Sequence, residues 1–544
     1  SEEEELEICS FSSSPDEIEF GKGQFDIIIA TNVIHATPNL NVTLSNIRDL
    51  LVPGGIFMLN ELINSSMAFM DMTFGTTDQW WSFKDECKYR TEYPLLSIDE
   101  WFTIFKDIGL DFDIKCLCSV PGQAAMLVRR NQVIIDDVVN SDFAINNNND
   151  ILYLTQGMNY DTVCEETLEF LQKEEILNKF IITREAQSIH GETNNIDPHQ
   201  ACVFGMVRSF VLENPDQSVK CIDVPQNMNQ KNIDTIVQQE DQARSESIEI
   251  VYRNGQRYEP ILCHSSVSND LSEKRSEIKN DGTYLITGGT GGIGLITAKW
   301  LVLQGAKYII LSSRSGKVSQ SSKDTYEWLL QQQDCNIQII TCDVSNLKSV
   351  DNLYDTIIND KNFPPVIGLI HSTGVLSDGL IKNQTMEKYT KVLDPKVKGL
   401  INLDNVFNTK QMDFVMLYSS VASLFGSQGQ SNHSCANSFL DAWSHHRPNS
   451  TTIQWGTWLE VGYAADNIRG LKTGYELGVK PIPNDMGIEM IDLSFHNALG
   501  GDKVLGCVQV DWNRQNNRNF TRLYSYDNNI TTESIPITNE FVQS

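Results

Sequence analysis

From residue 281 onwards, short apolar runs alternate with amphipathic stretches in a regular order. The apolar runs are TYLIT (283–287), KYIILSS (307–313), NIQIIT (336–341), VIGLI (366–370), DFVMLYS (413–419) and TTIQW (451–455). Apolar strands separated by amphipathic helices are typical of a parallel sheet that is covered on both faces. We therefore predict a doubly wound α/β domain over residues 281–515.

The chain has 544 residues, which is long for one domain and sufficient for three. Residues 1–130 contain a predicted strand, FDIIIA (25–30), followed by a predicted helix. Residues 133–280 contain two predicted strands, ILYLT and IEIVY, and a helix around ACVFGMVRSFVL. Residues 516–544 are polar and predict a linker. The chain begins with Ser1 rather than methionine, so we interpret it as a piece of a longer protein.

Charge and hydropathy exclude several functional classes. The net charge of −29 argues against nucleic-acid binding, and the apolar runs are too short to span a membrane. With no signal-peptide pattern, we expect a cytoplasmic protein whose 12 cysteines are reduced. No cysteine spacing is typical of zinc ligands, so we predict no metal site. Five lysines between residues 377 and 398 form a local basic patch that suits an acidic partner, although a solvated helix face accounts for most of them.

The turn after the first strand of the predicted sheet reads TGGTGGIG, residues 287–294. A glycine-rich turn between a strand and a helix lets the backbone approach a pyrophosphate, which the helix N-terminus attracts. The candidate cofactor residues of this loop are Thr287, Gly288, Gly289, Thr290, Gly291, Gly292, Ile293 and Gly294. Ser313 and Arg314 follow the second strand, where arginine favours the 2′-phosphate of NADPH. Asp343 and Val344 follow the third strand and are predicted to flank the adenine; a purely structural glycine turn is the alternative.

Five stretches in order carry a family resemblance. They are GTYLITGGTGGIG (282–294), HSTGVLSDGLI (371–381), VLDPKVKGLINLD (392–404), YSSVASLFGSQGQSNHSCANSFLDAW (418–443) and IQWGTWLEVG (453–462). Together they resemble the ketoreductase domain of type I polyketide synthases and animal-type fatty acid synthases, within the short-chain dehydrogenase/reductase superfamily. The resemblance covers about residues 133–515, in which 133–280 is similar to the truncated structural half of these domains.

The resemblance implies NADPH-dependent reduction of a β-keto group on an acyl chain that phosphopantetheine tethers to a carrier protein. It implies catalytic roles for Lys396, Ser420 and Asn437, and a cofactor contact at Ser372, Thr373 and Gly374. The position of the family's proton-donating tyrosine is occupied by His433. An imidazolium is an adequate acid near neutral pH, whereas Lys396 would hold the imidazole neutral and its nitrogen would lie farther from the carbonyl. We therefore expect either weakened reduction or, alternatively, an inactive module that binds NADPH or neighbouring domains.

Residues 25–62, FDIIIATNVIHATPNLNVTLSNIRDLLVPGGIFMLNEL, resemble the C-terminal part of a polyketide synthase C-methyltransferase. The resemblance implies that His35 and Glu61 form the base dyad of that domain. No glycine-rich loop precedes residue 25, so S-adenosylmethionine is expected only if a longer parent chain completes the domain. The whole chain thus resembles a fragment of a highly reducing, iterative polyketide synthase. Expected partners are an acyl carrier protein and other synthase domains, with a dimer allowed in the parent synthase; product and chain length stay open.

Overall fold

The computed structural model of the protein describes residues 25–37, 39–63, 95–107, 115–120, 123–129, 149–174, 178–189, 196–242, 247–264, 277–360, 362–462, 479–497, 502–510 and 537–543. Parts of the predictions for 1–130 and for 516–544 fall on residues outside these ranges. The described strands form a four-stranded sheet, a thirteen-stranded sheet and a two-stranded pair.

The N-terminal sheet has the order β1-β2-β4-β3. Its strands are β1 (Phe25–Thr31), β2 (Leu51–Leu62), β3 (Lys115–Val120) and β4 (Gln123–Arg129), with helices α1 (Leu40–Leu50) and α2 (Ile98–Asp107). β1 and β2 run parallel, and β4 returns antiparallel to β2. Helix α1 begins at Asn39, whose side-chain oxygen accepts the backbone N–H of Val42 at 3.1 Å. Trp101 and Phe105 of α2 are completely buried in the core of this unit.

The segment predicted as the structural half, residues 133–280, forms a parallel array that is closed by one antiparallel strand. Its strands are β5 (Asn149–Tyr153), β6 (Asn178–Arg184), β7 (Ser218–Val224), β8 (Glu249–Arg253) and β9 (Gln256–His264). Its helices are α3 (Tyr160–Leu171), α4 (Pro198–Glu213) and α5 (Gln230–Gln242). β8 and β9 are joined by Asn254 and Gly255, both at positive φ, which is the geometry of a tight hairpin turn.

The third segment is the doubly wound domain that the sequence predicts. Its parallel strands are β10 (Thr283–Thr287), β11 (Tyr308–Ser313), β12 (Asn336–Thr341), β13 (Val366–His371), β14 (Phe414–Ser420), β15 (Ser450–Trp455) and β17 (Val504–Cys507). Its helices are α6 (Gly292–Leu303), α7 (Lys323–Leu330), α8 (Leu347–Asn359), α9 (Met386–Leu393), α10 (Gly399–Phe407), α11 (Val421–Phe425), α12 (Ser431–Trp443) and α13 (Asn484–Asn497). Strands β16 (Val479–Lys480) and β18 (Gln509–Val510) form a short antiparallel pair. The order β12-β11-β10-β13-β14-β15-β17 confirms the predicted α/β class.

Strand β19 (Ile537–Gln543) joins the two halves into one sheet. It pairs antiparallel with β9 over seven residues and with β17 at one position, giving the order β17-β19-β9. Within the segment 516–544, for which the sequence predicts a linker, residues 537–543 thus form a strand. The polar residues of ITNEFVQ gave no strand pattern in the sequence. The backbone groups of this strand form hydrogen bonds with the edges of β9 and β17, which would otherwise be unpaired. The other proposed domain boundaries stay predictions.

A second difference concerns the long helix predicted near residues 385–405. The structure divides it into α9 and α10, separated by a π-helical turn over Asp394–Lys398. Pro395 lies in this turn and has no backbone N–H to donate to the helix ladder. Single π turns are frequent at functional sites, and this one carries Lys396.

Candidate active site

The glycine-rich loop between β10 and α6 has the geometry of a phosphate-binding turn. Gly288 adopts φ +69°, and a Cβ there would lie 2.8 Å from the carbonyl oxygen of Ser372. A Cβ on Gly294 would lie 2.6 Å from the carbonyl oxygen of Gly288, so only glycine lets α6 approach the loop this closely. Gly291 precedes α6 and has no side chain with which to cap it. The first N–H groups of the helix are therefore left for an anionic ligand, and the loop fits a dinucleotide pyrophosphate.

The predicted residues after β11 and β12 lie at the same edge of the sheet, because the carboxyl ends of parallel strands meet there. Thr290 Oγ1 donates to Ser313 Oγ at 2.7 Å, which ties the glycine loop to the end of β11. Arg314 follows and is exposed, as a contact to a 2′-phosphate requires. Asp343 accepts both the N–H and the hydroxyl of Ser345 on Oδ1, so this carboxylate stabilises the turn after β12, while Val344 is buried.

The turn after β13 connects the glycine loop to Lys396. The backbone N–H of Ser372 donates to the carbonyl of Thr287 at 3.1 Å. Thr373 Oγ1 donates to the carbonyl of Pro395 at 2.8 Å. A Cβ on Gly374 would lie 3.3 Å from Cε of Lys396. The predicted cofactor residues therefore lie directly against the predicted catalytic lysine.

Lys396 is buried, and its ammonium donates to the carbonyl of Tyr418 at 2.8 Å. Burial lowers the pKa of Lys396 to about 8, an effect that the nearby Asp441 carboxylate opposes. The carbonyl of Lys396 lies 2.9 Å from Nε2 of His371, and Nδ1 of His371 lies 2.8 Å from Oγ1 of Thr287. Burial lowers the pKa of His371 to about 4, so a neutral imidazole bridges the glycine loop and the π turn. Sequence reasoning missed this role of His371, although the residue begins the quoted stretch HSTG.

Ser420 lies at the end of β14, whereas His433 and Asn437 both lie on α12, with α11 between the two elements. Ser420 ends β14, and its Oγ accepts the N–H of Ala422 at 3.2 Å, which caps α11. His433 lies in the first turn of α12, and Asn437 one turn later donates through Nδ2 to the carbonyl of His433 at 2.8 Å. Among the described atoms, His433 Nδ1 and Asn437 Oδ1 are buried and have no hydrogen-bond partner.

The electrostatic surroundings of His433 keep its imidazole neutral. The side chain is partly exposed, but the ring nitrogen Nδ1 is enclosed. Burial, together with the positive charge of Lys396, lowers the pKa of His433 to about 3. Tyr418, the nearest tyrosine in the chain to Ser420, is buried with its hydroxyl 2.7 Å from Oγ1 of Thr297. The phenol of Tyr418 is thus held inside the core rather than offered to the site.

The predicted dyad of the N-terminal unit is assembled. Nδ1 of His35 and Oε2 of Glu61 are 2.5 Å apart, and both side chains are buried. Oε1 of Glu61 accepts the backbone N–H groups of Val33 and Ile34 at 3.0 and 2.7 Å. His35 lies in the short helix that follows β1, whereas Glu61 is still within β2. The carboxylate therefore orients the imidazole, as a general-base dyad requires.

A cluster of three thiols was also missed. Cys164 of α3, Cys202 of α4 and Cys435 of α12 are completely buried, and their Sγ atoms all lie within 4.8 Å of one another. Cys164 Sγ and Cys435 Sγ are 3.2 Å apart. Our prediction of no metal site rests on the short spacings between ligands that zinc sites show along a sequence. These three cysteines lie tens to hundreds of positions apart, so their proximity has no such signal in the sequence. The three side chains pack within the apolar core between the helices.

Comparisons with known proteins identify two domain families in the chain. Residues 282–460 match the KR domain family, and residues 7–113 match a methyltransferase domain family. None of the described helices combines the length and apolar character needed to cross a membrane.

Similar curated proteins are polyketide synthases. Polyketide synthase PksN of Bacillus subtilis (strain 168) is 31% identical over 288 residues, which is 51% of this chain and 5% of that protein. Highly reducing polyketide synthase tstA of Talaromyces stipitatus is 35% identical over 203 residues, which is 36% of this chain and 8% of that protein. The chain thus spans less than a tenth of the length of either relative.

A similar solved structure is titled "Structure of A-type Ketoreductases from Modular Polyketide Synthase". It has a TM-score of 0.58 and 25% identity, and it covers 64% of this chain and 73% of that chain.

Proposed function

We propose that the chain binds NADPH and reduces carrier-bound β-ketoacyl thioesters, with a proton step that His433 weakens. The proposal is supported by the KR domain match of residues 282–460, the methyltransferase domain match of residues 7–113 and the similarity to polyketide synthases. The observation that supports cofactor binding is the loop Thr287–Gly294, in which the glycines leave the start of α6 open. Arg314 beside this loop favours the 2′-phosphate of NADPH over the free hydroxyl of NADH.

When bound, NADPH would supply the hydride that reduces the β-carbonyl carbon. Ser420 accepts the N–H of Ala422 on Oγ, so its hydroxyl hydrogen can be donated to the carbonyl oxygen as negative charge develops there. The positive charge of Lys396, which acts on His433, would also stabilise this alkoxide. Asn437 holds the first turn of α12 through its bond to the carbonyl of His433 and so helps to set the position of that imidazole.

The proton step depends on His433. A general acid contributes most when its pKa lies near the working pH. With its pKa lowered to about 3, His433 is a neutral imidazole at pH 7 and gives up a proton far less readily than an imidazolium. The arrangement therefore supports cofactor binding and carbonyl polarisation better than it supports protonation.

The neutral state of His433 also favours a second candidate function. In this alternative the module binds NADPH, or holds neighbouring synthase domains, without reducing a substrate. The buried Nδ1 of His433, which has no partner among the described atoms, is compatible with an imidazole that only packs in the site.

Two further proposals concern partners and the N-terminal unit. Lys382, Lys391 and Lys398 are exposed, and they offer positive charge to an acidic, phosphopantetheine-bearing carrier protein. Lys396, another lysine of the predicted patch, is buried, and we assign it to the proposed active site instead. In a parent chain that completes the methyltransferase fold and binds S-adenosylmethionine, His35 would act as the base that Glu61 orients.

The test is NADPH oxidation by the full chain with a β-ketoacyl N-acetylcysteamine thioester, followed by detection of the β-hydroxyacyl product. NADPH binding is measured in parallel from the change in cofactor fluorescence. Binding with slow product formation is the expected result. Binding without product would favour the second candidate function. The absence of NADPH binding would contradict the proposed reductase and would leave, of the second candidate function, only the holding of neighbouring domains.

A further inference from the structure

Helix α4 of the segment 133–280 lies directly against α12, the helix that carries His433. A Cβ on Gly205 would overlap the carbonyl group of Ser434, so the two helices touch at the level of the backbone. Ser209 Oγ donates to Ser434 Oγ at 2.9 Å and accepts the N–H of Ser427 at 3.2 Å. The structural half therefore reaches the segment between Ser420 and His433.

Glu213, at the end of α4, contacts two separate segments beside the site. Its Oε1 accepts the backbone N–H of Gly429 at 2.7 Å, and its Oε2 accepts the backbone N–H of Ile381 at 2.6 Å. Gly429 lies between Ser420 and His433, and Ile381 lies in the segment that follows Gly374. A third bond, from the N–H of Gly379 to the carbonyl of Gly429 at 2.8 Å, joins the same two segments.

Arg208 fixes the other end of the same loop. Its guanidinium forms two bonds to the Glu249 carboxylate, at 2.7 and 2.6 Å, and donates a further N–H to the carbonyl of Ser423. The side chains of Arg208, Glu249 and Ser423 are all buried. Gly426 takes φ +74°, and a Cβ there would overlap the carbonyl of Arg208. Helix α4 is thus held against the loop independently of Glu213.

We propose that Glu213 is a positioning residue for carbonyl reduction, because it sets the separation between the two segments, 375–384 and 421–430, that flank the predicted site. Hydrogen bonds from backbone N–H groups to a carboxylate are roughly twice as strong as neutral ones. A carboxylate that accepts one such bond from each segment holds both in a single arrangement, as a preorganised site requires. The proposal rests on the proposed function, since it assigns Glu213 to the substrate side of the same site.

The first measurement is amide hydrogen exchange on the full chain, for wild type, Glu213→Ala and Glu213→Gln. Glu169→Ala serves as the matched control, because Glu169 is an exposed glutamate on the neighbouring helix α3. In Glu213→Ala we expect faster exchange in peptides covering both Ile381 and Gly429, with α4 itself unchanged. Glutamine keeps one acceptor oxygen, so Glu213→Gln should lose protection in one segment only. Equal exchange in wild type and Glu213→Ala would overturn the proposal, whether or not the chain reduces a substrate.

The second measurement is steady-state reduction of the thioester by the same variants, in the native chain and in a His433→Tyr background. Glu213→Ala should lower kcat/KM by about tenfold to a hundredfold, mainly through KM, because displacements near 1 Å carry costs of that order. NADPH affinity should not change, since the hydrogen bonds described for Glu213 go to Ile381 and Gly429 and not to the glycine loop. If exchange increases but kcat/KM is the same as in the control, Glu213 is structural and the positioning role is refuted. If both backgrounds bind NADPH and reduce nothing, the proposed function fails, and the role assigned to Glu213 fails with it.

Discussion

Replacing His433 by tyrosine is expected to raise the rate of thioester reduction at pH 7 by about a hundredfold or more, the usual contribution of a positioned general acid. Wild type is expected to lack most of this contribution, because burial and the charge of Lys396 lower the pKa of His433 to about 3. At pH 7, four units above that pKa, only about one molecule in ten thousand carries an imidazolium, a penalty of about 5 kcal/mol. A phenol keeps its proton at this pH, and the ammonium of Lys396 favours the phenolate that remains after transfer.

The assay compares NADPH oxidation by wild type, His433→Tyr and His433→Gln between pH 5.5 and 8.5. If imidazolium were the acid, wild-type activity would rise about tenfold for each unit by which the pH is lowered, because the protonated fraction does. We expect instead a low rate in wild type with no such slope, and the same low rate in His433→Gln. This reasoning would be refuted if the wild-type rate rose tenfold for each unit by which the pH is lowered and His433→Gln did not show that rise. The reasoning would also be refuted if His433→Tyr bound NADPH normally and its rate of reduction did not exceed that of wild type.

Three further predictions concern other parts of the molecule. Arg314→Ala should weaken NADPH binding by about tenfold to a hundredfold and leave NADH binding unchanged, because a charged hydrogen bond to phosphate contributes about 1.5–3 kcal/mol; an equal loss in the exposed control Lys317→Ala would contradict a specific contact. Lys382→Glu should raise KM for carrier-bound substrate and not for the free thioester, so equal kinetics with both substrates would contradict carrier docking there. Arg208→Met should lower the free energy of unfolding by about 3–5 kcal/mol, because it removes the guanidinium that forms two bonds to the buried Glu249 carboxylate. In urea titrations, the double variant with Glu249→Leu should recover most of that loss; a double variant as unstable as the single one would contradict this explanation.

The order of strands and helices after residue 281 could be predicted because each apolar run and each amphipathic stretch is a local pattern. The glycine loop could also be predicted, since the neighbouring backbone atoms leave no room for a Cβ at Gly288 or Gly294. The dyad of His35 and Glu61 came from resemblance, and the structure brings the two side chains into contact.

What could not be predicted depends on contacts between distant parts of the chain. Glu213 reaches Gly429 across 216 positions, and Cys164 reaches Cys435 across 271. Neither pair has a local pattern that indicates its partner. The π turn at Pro395 was missed for a different reason, because the flanking residues keep helical periodicity and only the proline shows a break. The pKa of His433 likewise depends on burial, which sequence spacing does not measure.

Strand β19 has a consequence for the order in which the protein can fold during synthesis. Among the described strands, the two halves of the large sheet are joined by Ile537–Gln543, which is synthesised after the other strands of that sheet that the structure describes. Until β19 has been synthesised, the edge strands β9 and β17 therefore lack this partner and can pair with another strand. Each edge is a template for mispairing with a neighbouring chain, so this delay is the stage at which chaperone protection matters most.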